Sequence, residues 1–360
     1  MRLFLISILQ LVITSTFSQS LFENTYGTLG AEERAFDMVV LSDGSVITAG
    51  DRYETSTFER TGYLLKVDAD GTEQWNRQLS SNADLYATTI CLLPNGDVFV
   101  AGYDEDVPGQ SHGVLVASYN GSNGVPVFQE THQMNAAVKA IDLIPTNQNG
   151  AIALCESETS ETTIILVKFN ANGDTIWTKT VNPYVGEESP KEITEVSDGY
   201  VIVGNVHSGT TDNVFILKTD FDGNMLWEQE HVSSGIAFGE GLVEIPTGGF
   251  YIAGITNAIG NGGIDVLGMR VDQMGQFIWA KGYGRGGNEL GYDVDIMSDG
   301  GAIFTGSAYK ADTSNFRDLV LIRTDGNGDT IWTRFYGDVY KETGYEVKVD
   351  GDQIVACGKA

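Results

Sequence analysis

Apolar and polar residues alternate along most of the chain, in short runs that end at tight turns rich in Gly, Asn and Asp. In the stretch Asp318–Gly337, the run Leu319–Ile322 is followed by the turn Asp325–Gly328 and by a second run that carries Trp332. Two such runs joined by a short turn predict an antiparallel β-hairpin. No segment beyond the N-terminal leader shows a sustained 3.6-residue apolar period, so the pattern predicts an all-β protein.

The hairpin recurs at a regular interval. All five tryptophans lie four residues after a glycine, at positions 75, 177, 227, 279 and 332, and Phe128 takes the aromatic position in a sixth, degenerate copy. Successive aromatic positions are therefore separated by 53, 49, 50, 52 and 53 residues. A repeat of about fifty residues is typical of propeller and kelch architectures. An aromatic residue repeated in register predicts packing between neighbouring repeats.

Each copy also contains an earlier hairpin. Its turn reads Ser42-Asp43-Gly44 in the first copy and Ser298-Asp299-Gly300 in the last. One repeat is thus four strands, A to D, with tight A–B and C–D turns and longer B–C and D–A loops. Four-stranded units repeated around an axis are the blades of a β-propeller.

The two ends of the chain complement each other. Leu21–Gly27 resembles the D strand Ile331–Gly337, whereas Gly344–Val349 and Gln353–Gly358 resemble strands A and B. An unclosed sheet exposes unpaired backbone, so we predict that the N-terminal strand closes the C-terminal blade. This arrangement predicts about seven blades, with six or eight as alternatives. One strand of the seventh blade is then missing, and the natural chain continuing past Ala360 is an alternative to a three-stranded blade.

The repeat pattern SDGxxIxxG followed by LLKVDxDGxxxW resembles the short β-propeller repeats (SBBP-like) of secreted bacterial proteins, particularly of Bacteroidetes. The resemblance extends from Leu21 to the end of the chain. The Gly-x-x-x-Trp hairpin, considered alone, is similar to the tryptophan-docking motif of quinoprotein (PQQ-type) propellers. Both resemblances imply a fold, and one fold hosts many functions.

The first nineteen residues predict export. Met1-Arg2 is a short basic start, Leu3–Ile13 is largely apolar, and Thr14–Gln19 is small and polar. This order is typical of a secretory signal peptide covering residues 1–19. We therefore predict a single propeller domain over residues 20–360, secreted to the medium or the cell surface, with the periplasm as an alternative.

Charge excludes several classes of partner. The chain has 49 acidic and 21 basic residues, a formal net charge of −28. Binding to nucleic acid or to anionic lipid needs clustered Lys and Arg, so neither is expected. No later segment is long and apolar enough for membrane insertion. We expect an acidic, soluble monomer.

No motif predicts catalysis or a cofactor. Cys91, Cys155 and Cys357 lie in three different repeats, two of them at a position that is Ala in other copies. We therefore predict buried cysteines and no disulfide bond. The four histidines have no metal-ligand spacing, and neither a nucleophile elbow nor a phosphate-binding loop occurs. No catalytic residue and no cofactor are predicted.

Acidic residues recur in the D–A loops. Glu33, Glu188 and Glu289 each lie eleven residues before an A–B turn glycine, and Glu342 has a similar local sequence. Because D–A and B–C loops emerge on one face of a propeller, these residues form a candidate ring at the channel mouth. Such a ring suits Ca²⁺ or a basic ligand. The alternative is that each carboxylate accepts backbone N–H groups at a blade junction.

Ligand recognition is expected on the same face. The B–C loops are the most variable segments, and loops on a rigid scaffold commonly carry recognition. Their aromatic and charged residues are candidate ligand contacts: Tyr53, Tyr103, Asp104, Asp106 and Tyr309.

These observations predict a secreted, non-enzymatic binding module that recognises protein or glycan through its B–C and D–A loops. One alternative is a propeller enzyme, either a hydrolase or lyase or a quinoprotein-like oxidoreductase, that uses an acidic channel mouth. Another is a structural module of a longer cell-surface protein.

Overall fold

A computed structural model of the chain describes residues 24–27, 30–79, 84–107, 110–134, 137–157, 162–181, 187–208, 211–231, 234–309, 317–337, 341–351 and 353–359. The named secondary-structure elements in these ranges are all β-strands, as predicted. A search of the described residues finds no helix with the length and apolar character needed to span a membrane. The contacts divide the protein into two compact units, one ending and the other beginning between Val181 and Glu187. The predicted signal peptide and cleavage site lie outside the described residues.

The first unit contains three four-stranded antiparallel sheets, called blades 1 to 3, in which the strands follow sequence order. Blade 1 consists of β1 (Ala31–Val40), β2 (Val46–Glu54), β3 (Glu59–Val67) and β4 (Glu73–Leu79). Blade 2 consists of β5 (Asp84–Leu92), β6 (Asp97–Val107), β7 (Gln110–Asn120) and β8 (Pro126–Gln133). Blade 3 consists of β9 (Val138–Thr146), β10 (Gly150–Ser157), β11 (Ile164–Phe169) and β12 (Thr175–Val181).

The second unit contains blades 4 to 6 and a two-stranded sheet. Blade 4 consists of β13 (Glu187–Val196), β14 (Gly199–Ser208), β15 (Thr211–Thr219) and β16 (Met225–His231). Blade 5 consists of β17 (Ala237–Glu244), β18 (Phe250–Thr256), β19 (Asp265–Val271) and β20 (Phe277–Tyr283). Blade 6 consists of β21 (Glu289–Ile296), β22 (Ala302–Tyr309), β23 (Arg317–Thr324) and β24 (Thr330–Tyr336). The final pair is β25 (Thr343–Asp350) and β26 (Gln353–Lys359).

The predicted number of blades is wrong. The described residues form six four-stranded blades, and β25 with β26 forms a separate two-stranded sheet rather than a seventh complete blade. The prediction counted the N-terminal strand as a third member of that sheet. Residues 21–23 of that strand lie outside the described residues, and Asn24–Gly27 is not in a strand. Closure of the C-terminal blade by the N-terminal strand therefore stays a prediction.

The apolar core lies between neighbouring blades. The second strand of a blade is largely buried, as β22 is, whereas the fourth strand exposes much of its length, as β24 does. A strand that is covered on both faces has a nearly continuous apolar sequence, and β22 is an example. Each apolar cluster joins two adjacent sheets; for example, Phe99 of blade 2 and Phe169 of blade 3 share one cluster. Burial of these faces is the dominant favourable contribution to folding.

Three of the five tryptophans and Phe128 pack on the C–D turn of the next blade, as the repeat pattern predicts. A Cβ atom built on Gly124, where φ is +66°, would lie 2.8 Å from the indole ring of Trp75. Glycine at this position therefore serves both the positive φ of the turn and the close approach of the ring. The same aromatic-to-glycine contact occurs in Phe128/Gly173, Trp227/Gly275 and Trp279/Gly328.

A β-bulge near the start of the first strand shapes each blade. In blade 1 the register shifts between Ala35 and Asp37, and the facing residue of β2 is Gly50. A Cβ on Gly50 would lie 1.7 Å from the carbonyl oxygen of Arg34, so no other residue fits there without backbone movement. Gly306 makes the same approach to Leu290 in blade 6. Bulges of this kind bend a strand and increase its local twist.

Acidic residues just after the bulge connect the first strands of adjacent blades. Asp37 Oδ2 accepts hydrogen bonds from the amide of Ile90 and the hydroxyl of Thr89, both at 2.8 Å. Asp293 Oδ2 accepts from the amide of Val347 at 2.8 Å in the second unit. The sequence analysis missed these residues, although their spacing of four from Glu33 and Glu289 was visible in the repeat.

Candidate functional site

The predicted ligand contacts lie mainly in strands rather than in loops. Tyr53 belongs to β2, Tyr103 and Asp104 belong to β6, and Tyr309 is the last residue of β22. Asp106 also lies in β6, but its side chain is outside the described part of the structure. The strands extend further than the sequence suggested because β2 and β3, for example, stay paired up to Glu54 and Glu59. The candidate contact residues therefore lie on backbone that is fixed by hydrogen bonds between strands.

Two of the predicted tyrosines belong to one continuous stack of side chains. The guanidinium carbon of Arg60 lies 5.0 Å from the ring centroid of Tyr53 and 5.1 Å from that of Tyr86. Tyr86 stacks on Tyr103 with centroids 4.6 Å apart and an interplanar angle of 15°. The Lys139 ammonium nitrogen lies 4.9 Å from the Tyr103 centroid. We call these five residues the tyrosine ladder.

Strand register produces the ladder within each blade. Tyr53 faces Arg60 across β2 and β3, and Tyr86 faces Tyr103 across β5 and β6. Directly opposite residues in an antiparallel pair have neighbouring Cβ atoms, so their side chains meet on one face. Arg60 then reaches from blade 1 to blade 2, and Lys139 reaches from blade 3 to blade 2. Three consecutive blades therefore contribute to one surface.

A buried carboxylate fixes the arginine of the ladder. Asp51 is fully buried and forms ion pairs with both Arg34 and Arg60. The Arg34 pair is bidentate, with an Nε–Oδ1 distance of 2.8 Å. The backbone amide of Arg60 also donates to Asp84 of blade 2 at 2.9 Å. Asp51 and Asp84 together offset the charges of the two guanidinium groups and hold Arg60 in place.

The ladder offers a partly exposed, amphipathic contact surface. Tyr53, Tyr86 and Tyr103 are each partly buried, as are Arg60 and Lys139. The rings of Tyr86 and Tyr103 each have two neighbours, one aromatic and one cationic, so much of their π-surface is already in contact. Tyrosine combines a large apolar ring with a polar hydroxyl and is enriched at binding surfaces. The arrangement suits edge and hydroxyl contacts better than stacking by an incoming ring.

Tyr309 has a cation–π contact of its own in the second unit. The guanidinium carbon of Arg317 lies 4.4 Å from its centroid, and the same guanidinium donates a hydrogen bond to the phenol oxygen. The tyrosine is partly exposed at the end of β22. All three predicted tyrosines thus have a cationic partner, a feature that sequence spacing could not reveal.

The four predicted acidic residues are buried at the starts of different blades. Glu33, Glu188 and Glu289 lie at or near the beginning of β1, β13 and β21, and Glu342 immediately precedes β25. None of the four side chains is more than 3% exposed. Glu33 approaches the Arg52 guanidinium at 3.8 Å. Among the described residues, no group of three or more His, Cys, Asp or Glu side chains is placed to hold one metal ion.

A cluster of ionisable side chains connects first strands in the second unit. Burial raises the pKa of Asp293 to about 7, against the positive charge of Lys348. Asp295 accepts hydrogen bonds from Ile296 and Val349, and burial raises its pKa as well. Burial lowers the pKa of Lys348, but surrounding carboxylates, led by Glu346, outweigh this effect and raise it. The oxygen atoms of both aspartates accept backbone amides, which is a structural use of these groups.

The three cysteines are buried, as predicted, and no disulfide bond joins them. Burial raises the pKa of the Cys91 and Cys155 thiols, so neither favours the thiolate form. A reactive cysteine would need a depressed pKa and partial exposure.

No protein-family model and no curated protein matches this sequence. Solved structures match at low identity. A puromycin hydrolase mutant complexed with PGG matches with a TM-score of 0.58 at 13% identity, over 89% of this chain and 49% of that chain. The β-propeller domain of the Trilobed protease from Pyrococcus furiosus gives 0.52 at 10% identity, over 91% of this chain and 89% of that domain. Sqt1 from Chaetomium thermophilum gives 0.52 at 11% identity, with 90% and 92% coverage.

The likenesses are structural rather than sequence-based. At 10 to 13% identity these matches indicate a shared fold, and they say nothing about a shared activity. This chain also spans only about half the length of the hydrolase. Together with the six four-stranded blades, they show that the protein has the β-propeller fold.

Proposed function

We propose that this protein is an exported, non-enzymatic binding module that recognises a protein partner through the tyrosine ladder. The observation that carries the proposal is the continuous contact from Tyr53 to Lys139 across three blades. Such a surface combines aromatic area with fixed charges, and tyrosine and arginine dominate the energetics of protein interfaces. The finding that strands position these residues supports a preorganised surface, which reduces the entropy lost on binding.

A protein partner fits this surface better than a glycan. Sugar rings bind aromatic side chains by stacking on an open ring face, and the rings of Tyr86 and Tyr103 already have two neighbours each. A protein can instead pack against ring edges and hydrogen bond to hydroxyl groups. Asp51 and Asp84 offset the charges of Arg34 and Arg60, so Lys139 at the end of the ladder is the cation that an acidic side chain of the partner can approach.

The test compares capture of secreted proteins by three purified baits. These are the wild type, the double variant Tyr86→Ala/Tyr103→Ala, and the control Phe277→Ala, which removes an exposed aromatic of β20. We expect a specific protein to be retained by the wild type and the control and lost by the double variant. Equal retention by all three baits would show that the ladder is not the binding surface.

Two further measurements keep the result interpretable. Circular dichroism and thermal unfolding of each bait establish that loss of binding is not loss of folding. Tyr103→Phe retains the stacked ring and should weaken binding less than Tyr103→Ala. Binding of the wild type to a glycan array, with no protein retained, would replace the protein partner with a carbohydrate.

Export is tested on the same protein. N-terminal sequencing of the natural protein recovered from the medium or from the cell surface should start near Gln19 or Ser20. A protein retained in the cytoplasm with Met1 intact would contradict the export part of the proposal.

A further inference from the structure

Two carboxylates converge above Gly284, the residue that follows β20. Asp265 begins β19 in blade 5, and Glu289 begins β21 in blade 6. The position of a Cβ atom on Gly284 would lie 1.7 Å from Asp265 Oδ1 and 2.6 Å from Glu289 Oε2. The two oxygen atoms are therefore within about 4.3 Å of each other, the sum of these two distances. The absence of a side chain at Gly284 makes this approach possible.

The pair is buried, and few hydrogen bonds or positive charges offset its negative charge. Asp265 is 1% exposed, and its Oδ1 atom has no hydrogen-bond partner among the described residues. Glu289 Oε2 accepts a hydrogen bond of 3.3 Å from the amide of Arg285. The Arg285 guanidinium instead lies on the ring of Phe335, 3.5 Å from its centroid. Burial raises the pKa of Glu289, and the charge of Asp265 adds to that rise.

The same arrangement occurs at the following junction. A Cβ on Gly337 would lie 2.6 Å from both Asp318 Oδ1 and Glu342 Oε2. The backbone hydrogen bond beside the pair is also the same. The amide of Glu289 donates to the carbonyl of residue 264, and the amide of Glu342 donates to the carbonyl of residue 317. Asp265 and Asp318 each follow the residue whose carbonyl accepts that bond.

At two other junctions, both positions are neutral. The position of Asp265 is the one just before the third strand starts to pair with the fourth, and the position of Glu289 is two residues before the bulge. Between blades 1 and 2, Thr61 and Leu85 occupy these positions. Asn213 and Ala237 occupy them between blades 4 and 5. The glutamate also occurs in the repeat without the aspartate, because by the same counting Glu188 of blade 4 follows a third strand that is preceded by Thr163. Two like charges that are buried side by side destabilise a protein unless a third group bridges them.

We propose that the Asp265–Glu289 pair binds a Ca²⁺ ion, which joins blade 5 to blade 6. Ca²⁺ takes oxygen ligands at roughly 2.3–2.6 Å, so one ion can contact two oxygens separated by about 4–5 Å. It accepts carbonyl groups and water as its remaining ligands. A cavity of about 190 Å³ lies against Gly284 and Glu289, is also lined by Asn261, and provides room for water.

This site lies within a single blade junction and differs from the candidate ring of four glutamates. It uses Asp265, which the sequence analysis did not select. The inference is independent of the tyrosine ladder, which lies in the first unit, so either proposal can fail alone.

The test is Ca²⁺ binding by the full-length mature protein after EDTA treatment. Equilibrium dialysis should give one Ca²⁺ ion per chain, and added Ca²⁺ should raise the Tm by a few degrees, because an ion bound by the native state stabilises it by mass action. Asp265→Asn should remove both the ion and the Tm response. Glu244→Gln, which neutralises an exposed acid at the end of β17, should keep both.

A different outcome would overturn the proposal. Two buried carboxyl groups can also share a proton. In that case Ca²⁺ at millimolar concentration neither binds nor shifts the Tm, and the wild type gains more stability than Asp265→Asn as the pH falls from 7 to 5. The comparison with Asp265→Asn is needed because Asp293 by itself makes the protein more stable at the lower pH. Since the wild type alone distinguishes one ion from none, the Ca²⁺ result does not depend on whether a variant folds.

Discussion

Gly328→Ala, compared with Gly300→Ala, measures how much the tryptophan contact between blades requires a glycine. The two glycines have nearly the same backbone conformation, with φ of +76° and +82°. Each closes a turn by donating its amide to the residue three positions earlier, and each carbonyl accepts a hydrogen bond from a tyrosine. They differ in their surroundings: a Cβ on Gly300 meets nothing within 4 Å, whereas one on Gly328 would lie 2.6 Å from the Trp279 ring.

The expected free energies follow from this difference. Alanine in the left-handed region costs about 1–2 kcal/mol, which should be the whole effect of Gly300→Ala. Gly328→Ala adds the displacement of the indole ring, and overpacking of this kind costs a further ~1–3 kcal/mol. The denaturation midpoint in urea, followed by circular dichroism with the slope checked for constancy, reports both variants.

A double-mutant cycle isolates the contact. In a Trp279→Leu background the large ring is gone, so Gly328→Ala should have an effect close to that of Gly300→Ala. If the two glycine variants are equally destabilised in the wild-type background, the glycine serves only the turn. An effect of Gly328→Ala that is unchanged by Trp279→Leu would refute the interblade explanation of the Gly-x-x-x-Trp repeat.

Two other predictions concern the inner strands and the N-terminal segment. Because burial raises the pKa of Asp293 to about 7, the folded state binds a proton that the unfolded state releases near pH 4, and stability should fall as pH rises between about 4 and 7. Asp293→Asn should remove on the order of 4 kcal/mol of that fall, since each pKa unit corresponds to about 1.4 kcal/mol, and an unchanged profile in urea unfolding across the pH range would contradict the assignment. Tyr26 donates a hydrogen bond to the carbonyl of Gly71, as Tyr283 does to that of Gly328. Tyr26→Phe and Tyr283→Phe should each lower the free energy of unfolding by about 1 kcal/mol, and a neutral Tyr26→Phe would show that the N-terminal segment does not dock on blade 1.

Local features of the fold could be predicted from the sequence. Alternation of apolar residues, turn residues with positive φ and the fifty-residue repeat depend on neighbours along the chain, and they correctly predicted hairpins such as β23–β24. The aromatic at Phe128 was also placed correctly, because it packs on Gly173 as the tryptophans pack on their glycines. The number of blades was predicted incorrectly as about seven, since it depends on whether distant strands join the sheet of β25 and β26.

The candidate sites depended on contacts between distant parts of the chain. Tyr53 and Tyr103 could be selected as aromatic residues in variable segments, but Tyr86 and Lys139 join them only through strand register and blade packing. A register shift of one residue would turn these side chains to the opposite face. Glu289 could likewise be selected by its recurrence.

By itself, the sequence determined that this chain forms repeated antiparallel hairpins with glycine–aromatic contacts, because those properties follow from residues close together in the chain. Only the tertiary structure decided which side chains share a surface. It placed Asp265 beside Glu289, 24 positions away in the sequence, because consecutive blades bring the start of a third strand against the start of the next first strand.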